Sequence, residues 1–366
     1  MRAALIALSV AAALAAQGAE RRARNVILFL GDAAGIPTLN AASLYKYGEP
    51  QKLFIQHMPH IALSDTSAAD AWVTDSAAGM TAIVTGEKTN NGVLSESADA
   101  VRGISEGKIL DTILEIAERH GLSTGAMSNM PVTDATPAAC YAHSNDRSKA
   151  GPIFAQLLKP RYGDGIDVLI GPGRRNILTQ TGNMGLNIEA ELRERGYTVR
   201  SSLDDISPGD KRTIGLFDTG DYDLWAAIQR AVAILSKNPK GYFLMVEWDG
   251  HTNHLRQGLD HVIELDSAIR KTSELVSDDT LIIYAADHSF DIRLRGGRRG
   301  QPLLPPVEEG DGKNIRVDDS HTGEEVLVSA MGPGSERVHG FIANTDLFRI
   351  MLAAYGWEAK PAATAK

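Results

Sequence analysis

Several strongly apolar runs in this chain end on a residue that can bind a cation. Val26-Ile27-Leu28-Phe29-Leu30 is followed by Gly31-Asp32. Residues 242–246 run into Glu247, and Leu281-Ile282-Ile283-Tyr284-Ala285 leads to Asp287-His288. Each run has the length and composition of a buried strand. Weaker strands are expected at 124–128, at 168–170 ahead of Gly171-Pro172-Gly173, and at 326–328 just after His321. Helices are expected over 109–119, 222–236 and 259–276. In the last of these, Leu259, Val262, Ile263, Ile269 and Leu275 form an apolar stripe. Residues 171–220, rich in Gly, Asn and Asp, show no clear period. The alternation implies an α/β fold, a mostly parallel sheet with helices on both faces. Ligands of such sheets gather beyond the carboxyl ends of the strands. A single Asp there is a turn or capping residue, but several together can cage a cation.

Thr74-Asp75-Ser76-Ala77-Ala78-Gly79-Met80-Thr81-Ala82 supplies a candidate nucleophile. Its small residues let the backbone close around Ser76 and suit the first turn of a helix. The free N–H groups and positive dipole end of such a turn attract phosphate. Read alone, the stretch could equally be a helix-packing face. Bound metal can activate a serine hydroxyl without a histidine base.

Composition sets the compartment and excludes some partners. The net charge is −9, and no basic block is long enough to suggest nucleic acid. Arg2, the apolar run from Ala3 to Ala16 and Ala13-Leu14-Ala15 read as a secretory signal peptide over residues 1–19. That run is too short for a stable membrane anchor. The mature protein is therefore expected to be exported, periplasmic or secreted. Cys140 is the only cysteine, so no intrachain disulfide can form. Neither repeats nor a linker divide the chain. Residues 20–355 are expected to form one catalytic domain and 356–366 a disordered tail.

Together the motifs resemble the alkaline phosphatase family. Gly31-Asp32, Thr74-Asp75-Ser76-Ala77-Ala78, Asp134-Ala135-Thr136-Pro137-Ala138-Ala139, Val246-Glu247, Ala286-Asp287-His288 and His321-Thr322-Gly323 occur in the family's order. The resemblance implies a phosphomonoesterase with two Zn2+ and one Mg2+, acting on small-molecule phosphate monoesters through a phosphoserine. It casts Ser76 as the nucleophile, which also touches metal. Asp32, Asp287 and His288 would hold one zinc, and Asp249, His251 and His321 the other. Asp32, Thr136 and Glu247 would hold magnesium, with Asp134 positioning water nearby. Arg147, four residues after His143, matches a phosphate-binding arginine that Asp75 would orient. His143 itself reads as structural. The family also allows a homodimer.

One departure concerns the second zinc site. The family usually separates its aspartate and first histidine by three residues, whereas Asp249 and His251 are two apart. They can share a face only in extended backbone, which Gly250 permits. His254 is the alternative ligand, its other reading being a surface or supporting histidine. The basic Gly-rich stretch 293–299 and the Pro-rich then acidic stretch 301–311 form an insertion beside the site. It reads as a solvated loop or as a lid. Rival functions are a phosphodiesterase or phosphonate hydrolase of the same superfamily, and a non-catalytic metal- or phosphate-binding protein.

Overall fold

The computed structural model describes residues 21–357. The expected signal peptide and most of the expected tail lie outside them. Twelve strands are described: β1 (Asn25–Asp32), β2 (His60–Ser64), β3 (Ser123–Ser128), β4 (Val168–Pro172), β5 (Thr198–Arg200), β6 (Thr213–Phe217), β7 (Tyr242–Asp249), β8 (Thr280–Ala285), β9 (Ser289–Leu294), β10 (Ile315–Thr322), β11 (Val326–Met331) and β12 (Gly340–Ile342). The α-helices are α1 (Ile36–Tyr47), α2 (Ser76–Thr85), α3 (Ile113–His120), α4 (Ala135–Tyr141), α5 (Ala150–Ala155), α6 (Arg174–Asn183), α7 (Ile188–Glu194), α8 (Leu224–Leu235), α9 (Leu255–Leu275) and α10 (Asp346–Tyr355).

Ten strands form one sheet in the order β12-β2-β11-β8-β1-β7-β3-β4-β6-β5. Only β11 runs against its neighbours. Side chains alternate across a strand, and β1 shows the consequence. Val26, Leu28 and Leu30 enter the core beneath α2, α3 and α4, while Ile27 and Phe29 enter the core beneath α1, α8 and α9. Helices thus cover both faces, and β1 is buried along its whole length. The order places β8, β1, β7 and β3 side by side at the centre. Their carboxyl ends therefore meet.

The expected strands are present, and several are longer. β7 runs on through Glu247 to Asp249. The expected helix at 109–119 starts only at Ile113, because Thr112 and Glu115 close a reciprocal capping box there. The featureless stretch 171–220 contains α6, α7, β5 and β6. Trp357, placed in the tail by the sequence, stacks on His120 with ring centroids 4.1 Å apart. Among the described residues, no helix is long and apolar enough to cross a membrane.

The insertion after His288 is a ribbon. β9 and β10 pair antiparallel, with a register shift between Val317 and His321. This irregularity re-aims the strand, and His321 pairs with Phe290 and Thr322 with Ser289. The ribbon thereby returns His321 to the neighbourhood of His288. Its tip is tied down, since Arg256 Nη2 donates to Pro305 O at 2.8 Å and to Gly310 O at 2.9 Å.

Candidate active site

Ser76 is the first residue of α2, and the Asp75 carboxylate caps that helix by accepting from Ala78 N at 3.0 Å. The small residues matter here. A Cβ on Gly79 would stand 2.9 Å from Asp287 O, so only glycine lets α2 approach the β8 end this closely. Ser76 Oγ consequently lies 3.4 Å from Asp32 Oδ2 and 3.2 Å from His288 Nε2.

Asp32, Asp287 and His288 converge as one candidate metal group, and His251, His288 and His321 as a second. Asp32 Oδ1 lies 3.4 Å from His288 Nε2, and Asp287 Oδ2 lies 3.5 Å from it. Asp287 Oδ1 accepts from His288 N at 3.0 Å and from Ala33 N at 3.3 Å. Ala33 reaches Asp287 through a left-handed turn at φ 61°. For an alanine that conformation costs roughly 1 kcal/mol, and strain of this kind gathers at functional sites. Nothing in the residue order announces this turn.

His251 Nε2 and His321 Nε2 stand 3.4 Å apart, and the His288 and His321 rings stack at 3.8 Å. His321 Nδ1 faces Thr74 O at 3.0 Å, and His251 Nδ1 faces Asp249 Oδ1 at 2.7 Å. Each ring is thus fixed at one nitrogen, with the other turned toward the shared centre. Asp249, expected as a ligand, sets its carboxylate against His251. His254 is exposed at the start of α9 and belongs to neither group. The compression from Asp249 to His251 is accommodated at Gly250, where a Cβ would meet Ala34 Cβ and Asp32 O at 3.0 Å.

The carboxylates are unfinished as a protein-only structure. Asp32 Oδ1, Asp287 Oδ2, Glu247 Oε2 and Thr136 Oγ1 are buried without a hydrogen-bond partner. Such orphans are costly unless something else binds them. Burial, with Asp287 beside it, pushes Asp32 up to about 6, and burial pushes Asp287 to about 6. Burial, then the charge of Asp32, holds Glu247 well above the usual carboxylate range. Burial lowers both His288 and His321. Burial works against His251 as well, yet the Asp249 hydrogen bond and the charge of Asp32 raise it to about 9. The lowered imidazoles of His288 and His321, beside orphaned carboxyl oxygens, form a donor set suited to divalent cations.

Arg147 Nη1 donates to Asp75 Oδ2, the neighbour of Ser76, at 3.1 Å, and Nη2 to Asp134 Oδ1 at 2.7 Å. Asp134, expected near the third metal, also caps α4. A serine at a helix N-terminus, near an arginine held by two carboxylates and beside two donor clusters, is equipped for phosphoryl transfer. Comparison with known proteins agrees. The alkaline phosphatase family model matches residues 23–302. The chain belongs to the alkaline phosphatase family.

It is 32% identical to the alkaline phosphatase of Gadus morhua, over 88% of this chain and 89% of that one. It is 30% identical to the tissue-nonspecific isozyme of Rattus norvegicus, over 87% of this chain and 81% of that one. The alkaline phosphatase structure from the Antarctic bacterium TAB5 superposes with a TM-score of 0.76 at 24% identity, covering 93% of this chain and 99% of that chain. That last likeness concerns the fold. With family membership comes the activity of a metal-dependent phosphoric monoester hydrolase.

Proposed function

We propose that the chain hydrolyses phosphate monoesters by double displacement on Ser76. The observation that carries this reading is Ser76 Oγ at a helix N-terminus, within 3.4 Å of Asp32 and His288 and beside orphaned buried carboxyl oxygens. Arg147, held by Asp75 and Asp134, would take two phosphate oxygens with its planar fork. The start of α2 favours the remaining negative charge. Ser76 Oγ then attacks phosphorus in line with the departing alcohol oxygen, forming phosphoserine. Water attacks the phosphoserine from the vacated side, releasing inorganic phosphate and restoring Ser76.

The mixed set Asp32-Asp287-His288 and the all-imidazole set His251-His288-His321 suit zinc. Asp249 would fix the tautomer of His251. The oxygen set Asp32, Thr136 and Glu247 suits magnesium. Bound there, the cations supply Lewis-acid charge that lowers the pKa of the serine hydroxyl and of water and takes up charge on the leaving oxygen. Export belongs to the same reading, supported by the leader-like run after Arg2.

Two in-line displacements cancel stereochemically. A monoester made chiral at phosphorus with oxygen isotopes, transferred to an acceptor alcohol, should keep its configuration. Inversion would remove the covalent step.

A further inference from the structure

The segment from Asp70 to Asp75 carries unusual responsibility for its packing. The Thr74 carbonyl fixes His321, the Asp75 carboxylate caps α2 and holds Arg147, and Ser76 comes next. Burial anchors Thr74 but not the residues before it, since Trp72 is 88% exposed and Val73 40%. Hydrogen bonds from Asn91 do that work. Asn91 Oδ1 accepts from Asp75 N at 2.8 Å, and its Nδ2 donates to Val73 O at 3.0 Å. The Asn91 backbone N–H donates to Asp70 Oδ1 at 3.0 Å. The next residue, Gly92, accepts the backbone N–H of Arg147 at 2.9 Å. One dipeptide therefore grips the backbone on both sides of the phosphate-binding region.

We propose that Asn91 is a positioning residue for phosphoryl transfer, setting the Asp75–Ser76 backbone against Arg147. This rests on the reading of Arg147 as the phosphate-binding arginine. The primary amide is chemically specific here. It offers one acceptor and one donor in a fixed plane, and the segment asks for both. Alanine offers neither. Displacement of reacting groups by about 1 Å can cost on the order of a hundredfold in rate.

The test compares Asn91→Ala, Arg147→Ala and the double variant, with zinc and magnesium saturating. Readouts are kcat/KM on an aryl phosphate, inorganic phosphate affinity by calorimetry, and thermal midpoint. Asn91→Ala should lower kcat/KM by about 10- to 100-fold. It should weaken phosphate about tenfold while the thermal midpoint stays within about 5 °C. The double variant should be no worse than Arg147→Ala by more than about threefold, because coupled sites do not add. Unchanged phosphate affinity in Asn91→Ala, or losses that add fully in the double variant, overturns the proposal. Should Asn91→Ala fail to fold, Asp70→Ala removes one of the three bonds from the surface. It should weaken phosphate by about two- to threefold, and an unchanged affinity overturns the proposal. Arg147→Ala alone separates the two layers. Normal phosphate binding there sinks the arginine's role, whereas a loss there beside a normal Asn91→Ala sinks only the role of Asn91.

Discussion

Glu115 and His143 form a buried carboxylate–imidazole pair, as Asp32, Asp287 and His288 do, but the two clusters are completed differently. Glu115 Oε1 lies 3.0 Å from His143 Nε2, and Glu115 Oε2 accepts from Arg161 Nη1 at 2.8 Å and from Thr112 N at 3.1 Å. His143 Nδ1 faces Ser95 O at 2.8 Å. The protein supplies a partner at every side-chain position. Around Ser76, Asp32 Oδ1, Asp287 Oδ2 and Glu247 Oε2 have none. The lesson is that burial and residue type do not distinguish a structural cluster from a metal site. Leftover donor atoms do. The His143 cluster is closed, and the rim of the sheet is built to be closed by cations.

The sharpest separation removes the proposed nucleophile and leaves every carboxylate and imidazole of the cation sites in place. Ser76→Ala should lower turnover at least about 10³-fold while metal content, by elemental analysis, changes little. Retained turnover would displace Ser76 from its role. Next, Asp287→Asn should weaken divalent metal binding by about 100-fold or more, as loss of a ligand exceeds the 10–100-fold typical of a supporting residue. Glu115→Ala should behave oppositely. Leaving the buried His143 Nε2 without its carboxylate, while Arg161 keeps Asp111, should cost about 1–3 kcal/mol of stability by chemical denaturation, with metal content and turnover within a few-fold of the parent. If Glu115→Ala lost metal and Asp287→Asn did not, the contrast between the clusters would be reversed.

The smallest effect is a pH dependence. Burial pushes Asp32 and Asp287 up in the fold from their ordinary 3.8 to about 6. Without metal, the folded chain holds those protons more tightly than the unfolded one. That stability is complete below the unfolded value and is lost as pH rises through about 6. Cations displace the protons and remove the repulsion. The rise in thermal midpoint on adding metal should therefore be larger near pH 7.5 than near pH 5. An equal rise at both would mean that the carboxylates are not what the cations meet.

The central strands and most of the site could be read in the sequence, because apolar runs ending in Asp32, Glu247 and Asp287-His288 state both a strand and what stands at its end. The region 171–220 could not. Helix α6 buries only Ile177 and Thr181, so it has no apolar period, and β5 is three residues long. The contact of Asp249 with His251 was also hidden, since spacing says which residues are near but not which way a carboxylate turns. Asn91 was invisible for a related reason. Its partners at 70–75 are reached by side-chain to backbone bonds, which leave no periodic mark. The insertion read as loop or lid because the β9–β10 pairing depends on an irregular register that no alternation announces.

The most direct measurement is a crystal structure of the protein grown with zinc and magnesium, with anomalous scattering recorded at the zinc edge. The expected result is zinc signal within coordination distance of Asp32, Asp287 and His288 and again beside His251 and His321, with Ser76 Oγ facing it. A map showing no metal there, and ordered water hydrogen-bonded to Asp32 Oδ1 and Asp287 Oδ2 instead, would contradict the reading of the sheet rim as a cation cage.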